Sequence, residues 1–597
     1  MSGDFRLGSW VVRPSLSTVS RDNRTIHLEP KIVEVLVYLA RHPDETVSKE
    51  HLIRAVWGNT FVTDDVLTRS ISELRKALDD DAKEPRIILT IPRKGYRLIP
   101  QVEPVKLVQR KMSWRFLIAS VLLCAVLGLV IAYVSLHPSP HPIHSLAVLP
   151  LKNLSSDVTQ DYLADAMTDA IIGRLSGIHG LRVISRTSVM QFKNSRQSLP
   201  EIANLLNVEA VIEGSVLRVG NRVRVSAQLI RGDDEHFWSE TFDREMGDIL
   251  AIQSEVAQSV AEKIEATVTE KEHTRLVNSR YVAPEVYESY LKGEFARRNN
   301  RADFEQGIGY FEEAIRRDPT FAPAYVGMAE AYDDLGSILV GGRPDEMRSK
   351  TVLAARKALE LDPTLAEPHG LLAGVYQAQW QWNEAEAEYK QALALNPNDV
   401  GTHLGFASWL LAQGRIEEAL AWSRRARELD PLGVTGASSG WILFHARRYD
   451  EAIRELRSDV AVYPDYATAH CFLGFALIGK GQHQEAVSVL EKTVTMMDRS
   501  PGSLELLATA YAHAGRRQEA LHLIDELKKR RETSYVPAGA FINPYLALGD
   551  YDQAFVWFER AYQEHSNILQ FLRVHPFFDP VRQDPRFADL VRRVGLG

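Results

Sequence analysis

The chain has 597 residues, a net charge of −8 and 45 % hydrophobic residues, a globular composition long enough for roughly three to five domains. Its mild acidity excludes a generally basic surface, so any nucleic-acid site must be local. Two cysteines, Cys124 and Cys471, exclude a disulfide framework or a cysteine-type metal centre.

Residues 5–28 alternate loosely (FRLGSWVV, then TIHL) around an SRDNRT turn and predict a small antiparallel sheet. In LEPKIVEVLVYLARHP, Pro30 suits the first helical position, and Ile32, Val35, Leu36 and Leu39 form an apolar stripe that His42 and Pro43 end. A second helix runs from Ser48 as N-cap through Leu52, Ile53 and Val56 to Trp57 and Gly58. The third, TDDVLTRSISELRKALDD, has Thr63 as N-cap, with Asp64 and Asp65 at the positive end of the helix dipole. Val66, Ser70, Ile71, Leu74 and Leu78 make its apolar face; Thr68, Arg69, Ser72, Arg75 and Lys76 lie opposite. PRIILTIPRKGYRLIP then reads as a hairpin tipped by Pro92, Arg93, Lys94 and Gly95.

Sheet, three helices and terminal hairpin follow the order of a winged helix-turn-helix, an α+β fold. The segments LEPKIVEVLVYLARHP, VSKEHLIRAVWG, VTDDVLTRSISELRKAL and TIPRKGYRL resemble the OmpR-type winged helix family. The resemblance implies that residues 1–103 bind double-stranded promoter DNA, the third helix in the major groove and the wing on the backbone or minor groove. Thr68, Arg69 and Ser72 would then face base edges, Arg75, Lys76, Arg93 and Lys94 would contact phosphates, and Tyr96 would support the wing. Arginine can pair bidentately with guanine, and Lys and Arg neutralise phosphate. The domain is barely basic: residues 1–105 hold 16 Lys and Arg against 15 Asp and Glu, and Asp79, Asp80 and Asp81 follow the third helix. One copy is expected to bind weakly, and a homodimer on repeated half-sites is expected. No receiver domain precedes the first strand, so control by aspartyl phosphorylation within the chain is not expected.

Residues 104–115 are basic (Lys106, Arg110, Lys111 and Arg115), and residues 116–136 (FLIASVLLCAVLGLVIAYVSL) carry no charge. As a helix that run would be roughly 31 Å long, about the thickness of a bilayer core. It predicts one transmembrane helix, with the N-terminus cytoplasmic by the positive-inside rule and the remainder extracytoplasmic in a bacterial inner membrane. Residues 137–144 (HPSPHPIH) read as a stiff exit segment rather than a zinc site, despite three histidines.

Residues 145–275 predict an α/β domain: a strand in SLAVLPLKNLSSD, an amphipathic helix in DYLADAMTDAIIGRLSGI, a strand in LRVISRTSV, and a short helix in LPEIANLLNV. Two or three strands turning at Gly220 and Asn221 follow, and a helix from about Met246 to Glu272 closes the unit. SLAVLPLKNLSSD, RVISRTSVMQFK, VIEGSVLRVGNRVRVSAQLI and WSETFDRE resemble the TolB amino-terminal-like domain, which implies a fold more than a function. Asp161, Asp165 and Asp169 share a helix face and read as solvated. There is no Gly-rich phosphate loop and no catalytic constellation, so neither enzyme activity, cofactor nor metal is expected.

From residue 285 the chain repeats. Ala385, Ala419, Ala452, Ala486, Ala520 and Ala554 are spaced 34, 33, 34, 34 and 34 apart, and Pro363, Pro397 and Pro431 are 34 apart. This is the period of the tetratricopeptide repeat. About eight repeats are expected over 285–575, with an insertion near SILVGGRPDEMRS and a capping segment at 576–597. The array would form an all-α superhelix whose groove takes a protein or peptide ligand. Trp380, Trp382, Trp409, Trp422, Trp441 and Trp557 read as core or ridge rather than as a ligand cage.

Together these segments resemble the CadC/ToxR-like class, which implies a membrane-tethered one-component transcription regulator driven by an extracytoplasmic sensor region. The alternative from a different class is an extracytoplasmic assembly scaffold with a residual winged helix.

Overall fold

The computed structural model describes residues 3–22, 24–58, 62–105, 143–155, 160–297, 301–336, 344–433 and 435–597. The chain divides into two compact units, residues 1–139 and 140–597.

In the first unit, β1 (Phe5–Leu7), β2 (Trp10–Arg13), β3 (Thr18–Arg21) and β4 (Arg24–His27) form an antiparallel meander. The pleat puts alternate residues inward, so Phe5, Leu7, Trp10 and Val12 are buried while Arg6 is exposed. Three helices follow: α1 (Pro30–Arg41), α2 (Lys49–Trp57) and α3 (Asp64–Leu78). The hairpin β5 (Ile88–Ile91) and β6 (Gly95–Leu98) comes next. β7 (Val102–Pro104) then returns to pair antiparallel with β1, Phe5 opposite Pro104. Residue 104, expected to open a basic segment, thus ends a strand of the domain. One core joins the sheet to the helices through Trp10, Leu36, Leu39, Leu52, Ile71 and Leu74.

The buried stripe of α3 differs from expectation by one position. Leu67 is fully buried and Val66 is 39 % exposed. Leu67, Ser70, Ile71, Leu74, Ala77 and Leu78 fall on one side at the helical period, and Val66 lies outside that arc.

The second unit opens with a mixed sheet. β8 (Ser145–Val148) pairs in parallel with both β10 (Arg182–Val183) and β11 (Ala210–Val219). β12 (Arg222–Arg231) and β13 (His236–Glu245) extend it antiparallel, and β9 (Lys152–Asn153) pairs with β11. The β11–β12 turn falls at Gly220 and Asn221, with Gly220 at φ +60. Helices α4 (Asp161–Ser176), α5 (Arg186–Met190), α6 (Leu199–Leu206), α7 (Ile249–Lys263) and α8 (Glu270–Val277) complete the layer. Two expectations change here. The LRVISRTSV strand is only two residues long, because Ser185 accepts from the Ser188 N–H and caps α5. The long closing helix breaks after Lys263, and Thr269 with Glu272 forms a capping box that starts α8.

Eight helix pairs follow among the described residues: α9 (Pro284–Ala296) with α10 (Arg301–Arg317), α11 (Ala322–Gly336) with α12 (Pro344–Leu361), α13 (Glu367–Ala378) with α14 (Trp382–Leu395), α15 (Val400–Ala412) with α16 (Ile416–Leu429), α17 (Gly436–His445) with α18 (Tyr449–Val462), α19 (Ala467–Gly479) with α20 (His483–Met496), α21 (Pro501–His513) with α22 (Arg517–Thr533), and α23 (Ile542–Ala547) with α24 (Tyr551–Gln563). All six alanines of the repeat ruler are fully buried. Paired helices come so close that a Cβ on Gly440 would lie 2.4 Å from Leu456. The last helix, α25 (Pro585–Arg593), belongs to a C-terminal tail that lies against earlier repeats. Phe571 packs on Trp441, Phe577 on Phe444, Phe475 and His513, and the Trp382 indole donates to the Val594 carbonyl at 2.8 Å. Tail residues therefore touch the third, fifth, sixth and seventh pairs, well beyond the end cap expected. Trp409 and Trp557 are buried, and the other four tryptophans singled out pack partly buried against the same core.

The α/β domain sits on the loops between repeats. The Asn398 amide donates to the Ser176 and Leu181 carbonyls and accepts from the Val183 N–H. The Asp430 carboxylate accepts from Ser185 and Ser188. Both side chains are buried by this contact.

Among the described residues no helix is long and apolar enough to cross a membrane. A span needs about 20 apolar residues in one helix. The apolar helix Ala467–Gly479 has 13 residues and is packed within the array. Among the described residues the fold class is therefore a winged helix, an α/β domain and an all-α superhelix, which corrects the expected class that included a transmembrane helix. The inner-membrane localisation built on that helix is corrected with it, and no described helix supports the expected membrane partner. The 116–136 run, the basic residues from 106, the linker to 142 and the insertion at 337–343 lie outside the described residues.

Candidate nucleic-acid interface

The third helix presents its polar face because its apolar stripe is consumed by the core. Thr68, Arg69, Ser72 and Lys76 are exposed, and the Arg69 side chain is 83 % exposed, reaching Glu73 at 3.2 Å. Thr68 Oγ1 turns back to donate to the Asp64 carbonyl at 2.8 Å. Thr63 occupies the N-cap position without a side-chain cap bond. The start of α3 is instead tied to α2 by Lys49, whose ammonium lies 3.1 Å from Asp64. That hydrogen bond raises the Lys49 pKa.

Arg75 does not join the exposed face. Its Nη2 donates to the Ile88 carbonyl at 2.7 Å and to Thr90 Oγ1 at 2.8 Å, and its side chain is 13 % exposed. It therefore bolts the third helix to the first strand of the wing. Asp80 supports the same junction: its carboxylate accepts from the backbone N–H groups of Arg86, Ile87 and Ile88 at 2.6, 2.9 and 2.9 Å. Asp79 pairs with Arg21 at 2.6 Å, and Asp81 accepts from the Lys83 N–H. The acidic triplet is thus engaged in structure, a role that sequence reading missed. Its only sequence signal is its place between a helix end and a strand, where backbone donors need acceptors.

At the wing tip Pro92, Arg93 and Lys94 are exposed, and Arg93 adopts φ +62 in the turn. Among the described residues no ion pair engages Lys76, Arg93 or Lys94. Gly95 passes so close to the α1–α2 loop that a Cβ would lie 2.0 Å from the Val47 carbonyl oxygen. Tyr96 beside it is 4 % exposed, and its backbone exchanges two 2.9 Å hydrogen bonds with Val47. The wing is anchored at its root while its tip carries uncompensated positive charge. Among the described residues no group of His, Cys, Asp and Glu could hold a metal ion.

Residues 23–98 match the family model described as transcriptional regulatory protein, C terminal. Residues 143–259 match HilA/YgeH-like transcriptional regulator, second domain. Residues 378–432 and 439–503 match tetratricopeptide repeats. Among curated relatives, a putative adenylate cyclase 3 of Rhizobium meliloti is 32 % identical over 41 % of this chain and 42 % of its own length. The transcriptional activator CadC of Escherichia coli is 45 % identical over 16 % of this chain and 19 % of its own length. The transcriptional regulator HilA of Salmonella typhimurium is 24 % identical over 96 % of this chain and 95 % of its own length. The chain thus covers less than half of the first two relatives and nearly all of the third. It resembles CadC- and HilA-like transcriptional regulators, with a DNA-binding domain of the regulatory C-terminal type and tetratricopeptide repeats.

Proposed function

We propose that the chain is a one-component transcription regulator whose first unit binds promoter DNA and whose second unit controls that binding. The observation that carries the reading is the exposed face of α3 beside a wing tip bearing two unpaired cations. Thr68, Arg69 and Ser72 read base edges, while Lys76, Arg93 and Lys94 contact phosphates. Arg75 and Tyr96 act one step back, by fixing the wing. The near-neutral charge of the domain favours two copies on repeated half-sites over one tight contact. The repeats and the α/β domain packed on them serve as the regulatory platform and take a protein partner.

Genome-wide mapping of DNA bound by the full-length protein, followed by gel shift on the sites found, tests this. Arg69→Ala should relax preference among sites, and Lys94→Ala should weaken all sites alike and lower the salt slope by about one. Absence of any site preference in the unaltered protein would refute the reading.

A further inference from the structure

Where the α/β domain meets the early repeats, a cavity of about 850 Å³ opens. That volume lies inside the range of small-molecule sites, about 300–1,000 Å³. Arg174 of α4 and Arg275 of α8 line one side, Asp362 and Glu367 of the array line another, and Tyr287 and Tyr290 of α9 contribute aromatic surface.

The charges of this cavity are unevenly matched. Arg174 Nη1 meets only backbone carbonyls, those of Leu276 at 3.5 Å and Asn278 at 3.3 Å. Arg275 likewise donates to the carbonyls of Leu395 at 2.6 Å and Gly177 at 3.5 Å. Among the described residues neither guanidinium has a carboxylate partner. Burial lowers the Arg174 pKa, as expected for a cation without a counter-ion. On the α/β side, Asp165 and Asp169 are neutralised by Lys193 at 2.7 Å and Arg186 at 2.5 Å, and Glu272 is held by hydrogen bonds from the Thr269 N–H and hydroxyl and the His179 N–H. Across the cavity, Asp362 accepts only from the Thr364 N–H and hydroxyl, and desolvation holds the Glu367 carboxyl above its ordinary pKa; among the described residues neither has a cation partner.

Two uncompensated guanidiniums and two uncompensated carboxylates around one partly aromatic cavity call for a ligand with both charges. We propose that the cavity binds a small zwitterion of the α-amino-acid class, its carboxylate on Arg174 and Arg275 and its ammonium toward Asp362 and Glu367. Such a ligand touches both the α/β domain and the repeats and strengthens their association by its differential affinity for the docked arrangement. Charge-assisted bonds to a bidentate guanidinium give the carboxylate end its specificity.

The test uses the full-length protein and a panel of standard α-amino acids at millimolar concentration. At least one should raise the melting temperature and titrate calorimetrically with one site per chain. Arg174→Gln should weaken that binding by about tenfold or more. Arg174 also holds backbone carbonyls, so Glu367→Gln provides a second variant and should weaken binding similarly. Acetate and ethylamine, each carrying half of the charge pattern, should bind at least about tenfold more weakly. The proposal fails if no amino acid binds, if acetate alone binds as tightly, or if both variants bind like the unaltered chain.

Discussion

Arg447, in the turn between α17 and α18, donates through Nη2 to both carboxylate oxygens of Asp579 in the tail, at 2.7 and 2.9 Å. Arg447 adopts φ +59, while the corresponding turns of neighbouring repeats place Gly414, Gly481, Gly515 and Gly549 at φ +74 to +82. Trp380 occupies the same turn at φ +61 and stacks on Tyr562 and His565. In these two turns a side chain that grips the C-terminal region stands where glycine would be unstrained.

The Arg447–Asp579 pair therefore sets two opposed effects against each other. Arg447→Gly loses an exposed ion pair worth about 0.2–1 kcal/mol and relieves about 1 kcal/mol of left-handed strain. Asp579→Asn loses the pair, together with the 2.6 Å contact to Arg582, and relieves nothing. Denaturant unfolding of the full chain should find Arg447→Gly within about 0.5 kcal/mol of the unaltered protein and Asp579→Asn less stable by about 1 kcal/mol.

Phe578 holds the tail to the array more strongly. It is fully buried, edge-on to Phe558 at 5.2 Å and stacked on His575 at 4.6 Å. Phe578→Ala should cost about 3–5 kcal/mol and expose the tail to limited proteolysis before the remaining repeats are cut. Intact tail protection in this variant would refute the assignment.

Buried histidines predict loss of stability in acid. Burial lowers the pKa of His445 to about 3 and that of His513 to about 4, and lowers that of His575 as well, with His445, Arg582 and Arg447 adding to the shift. The folded state binds fewer protons than the unfolded one between these values and the ordinary imidazole value of 6.5. The stabilisation is fully present above about pH 6.5 and is lost as pH falls toward 3–4, by about 1.4 kcal/mol per pH unit for each histidine. Burial raises the pKa of Glu330, Glu505 and Asp333, which gives an opposing slope common to variant and unaltered chain, so the measured difference is the test: between pH 7 and 4, His513→Phe should lose less stability on acidification than the unaltered protein.

Arg75 and Lys76, adjacent in sequence, should behave differently. Arg75→Ala strands the Ile88 carbonyl and loosens the wing, costing about 1–3 kcal/mol of stability. Lys76→Ala should leave the melting temperature unchanged and reduce the salt dependence of DNA binding by about one phosphate contact. Equal effects of the two on stability would contradict the separation seen in the structure.

The winged helix was legible because its elements are local. Pro30, Ser48 and the helical spacing of Leu36, Leu39, Leu52, Ile71 and Leu74 fix helix positions and buried faces within a few turns of chain. The repeat array was legible for the same reason, since close helix pairing forces a small residue at each of the six ruler alanines. The exposed cations of α3 and the wing tip could be named from the sequence. That Arg75 is withdrawn from them could not, because its partners at Ile88 and Thr90 lie across a loop whose path the sequence does not define.

The tertiary structure alone decided three further matters. Val66 and Leu67 are both apolar, and only the position of the core selects Leu67. Asn398 and Asp430 lie in loops between repeats and carry no sequence signal, yet they anchor the α/β domain through partners more than 200 residues away. The tail read as an end cap, yet it lies along the repeats as far back as Trp382. By itself the sequence determined the elements, the repeat period and the charged face, because short-range spacing encodes which side of each element is apolar. Which surfaces then meet depends on contacts between segments far apart in the chain, and such contacts leave no periodic trace in the sequence.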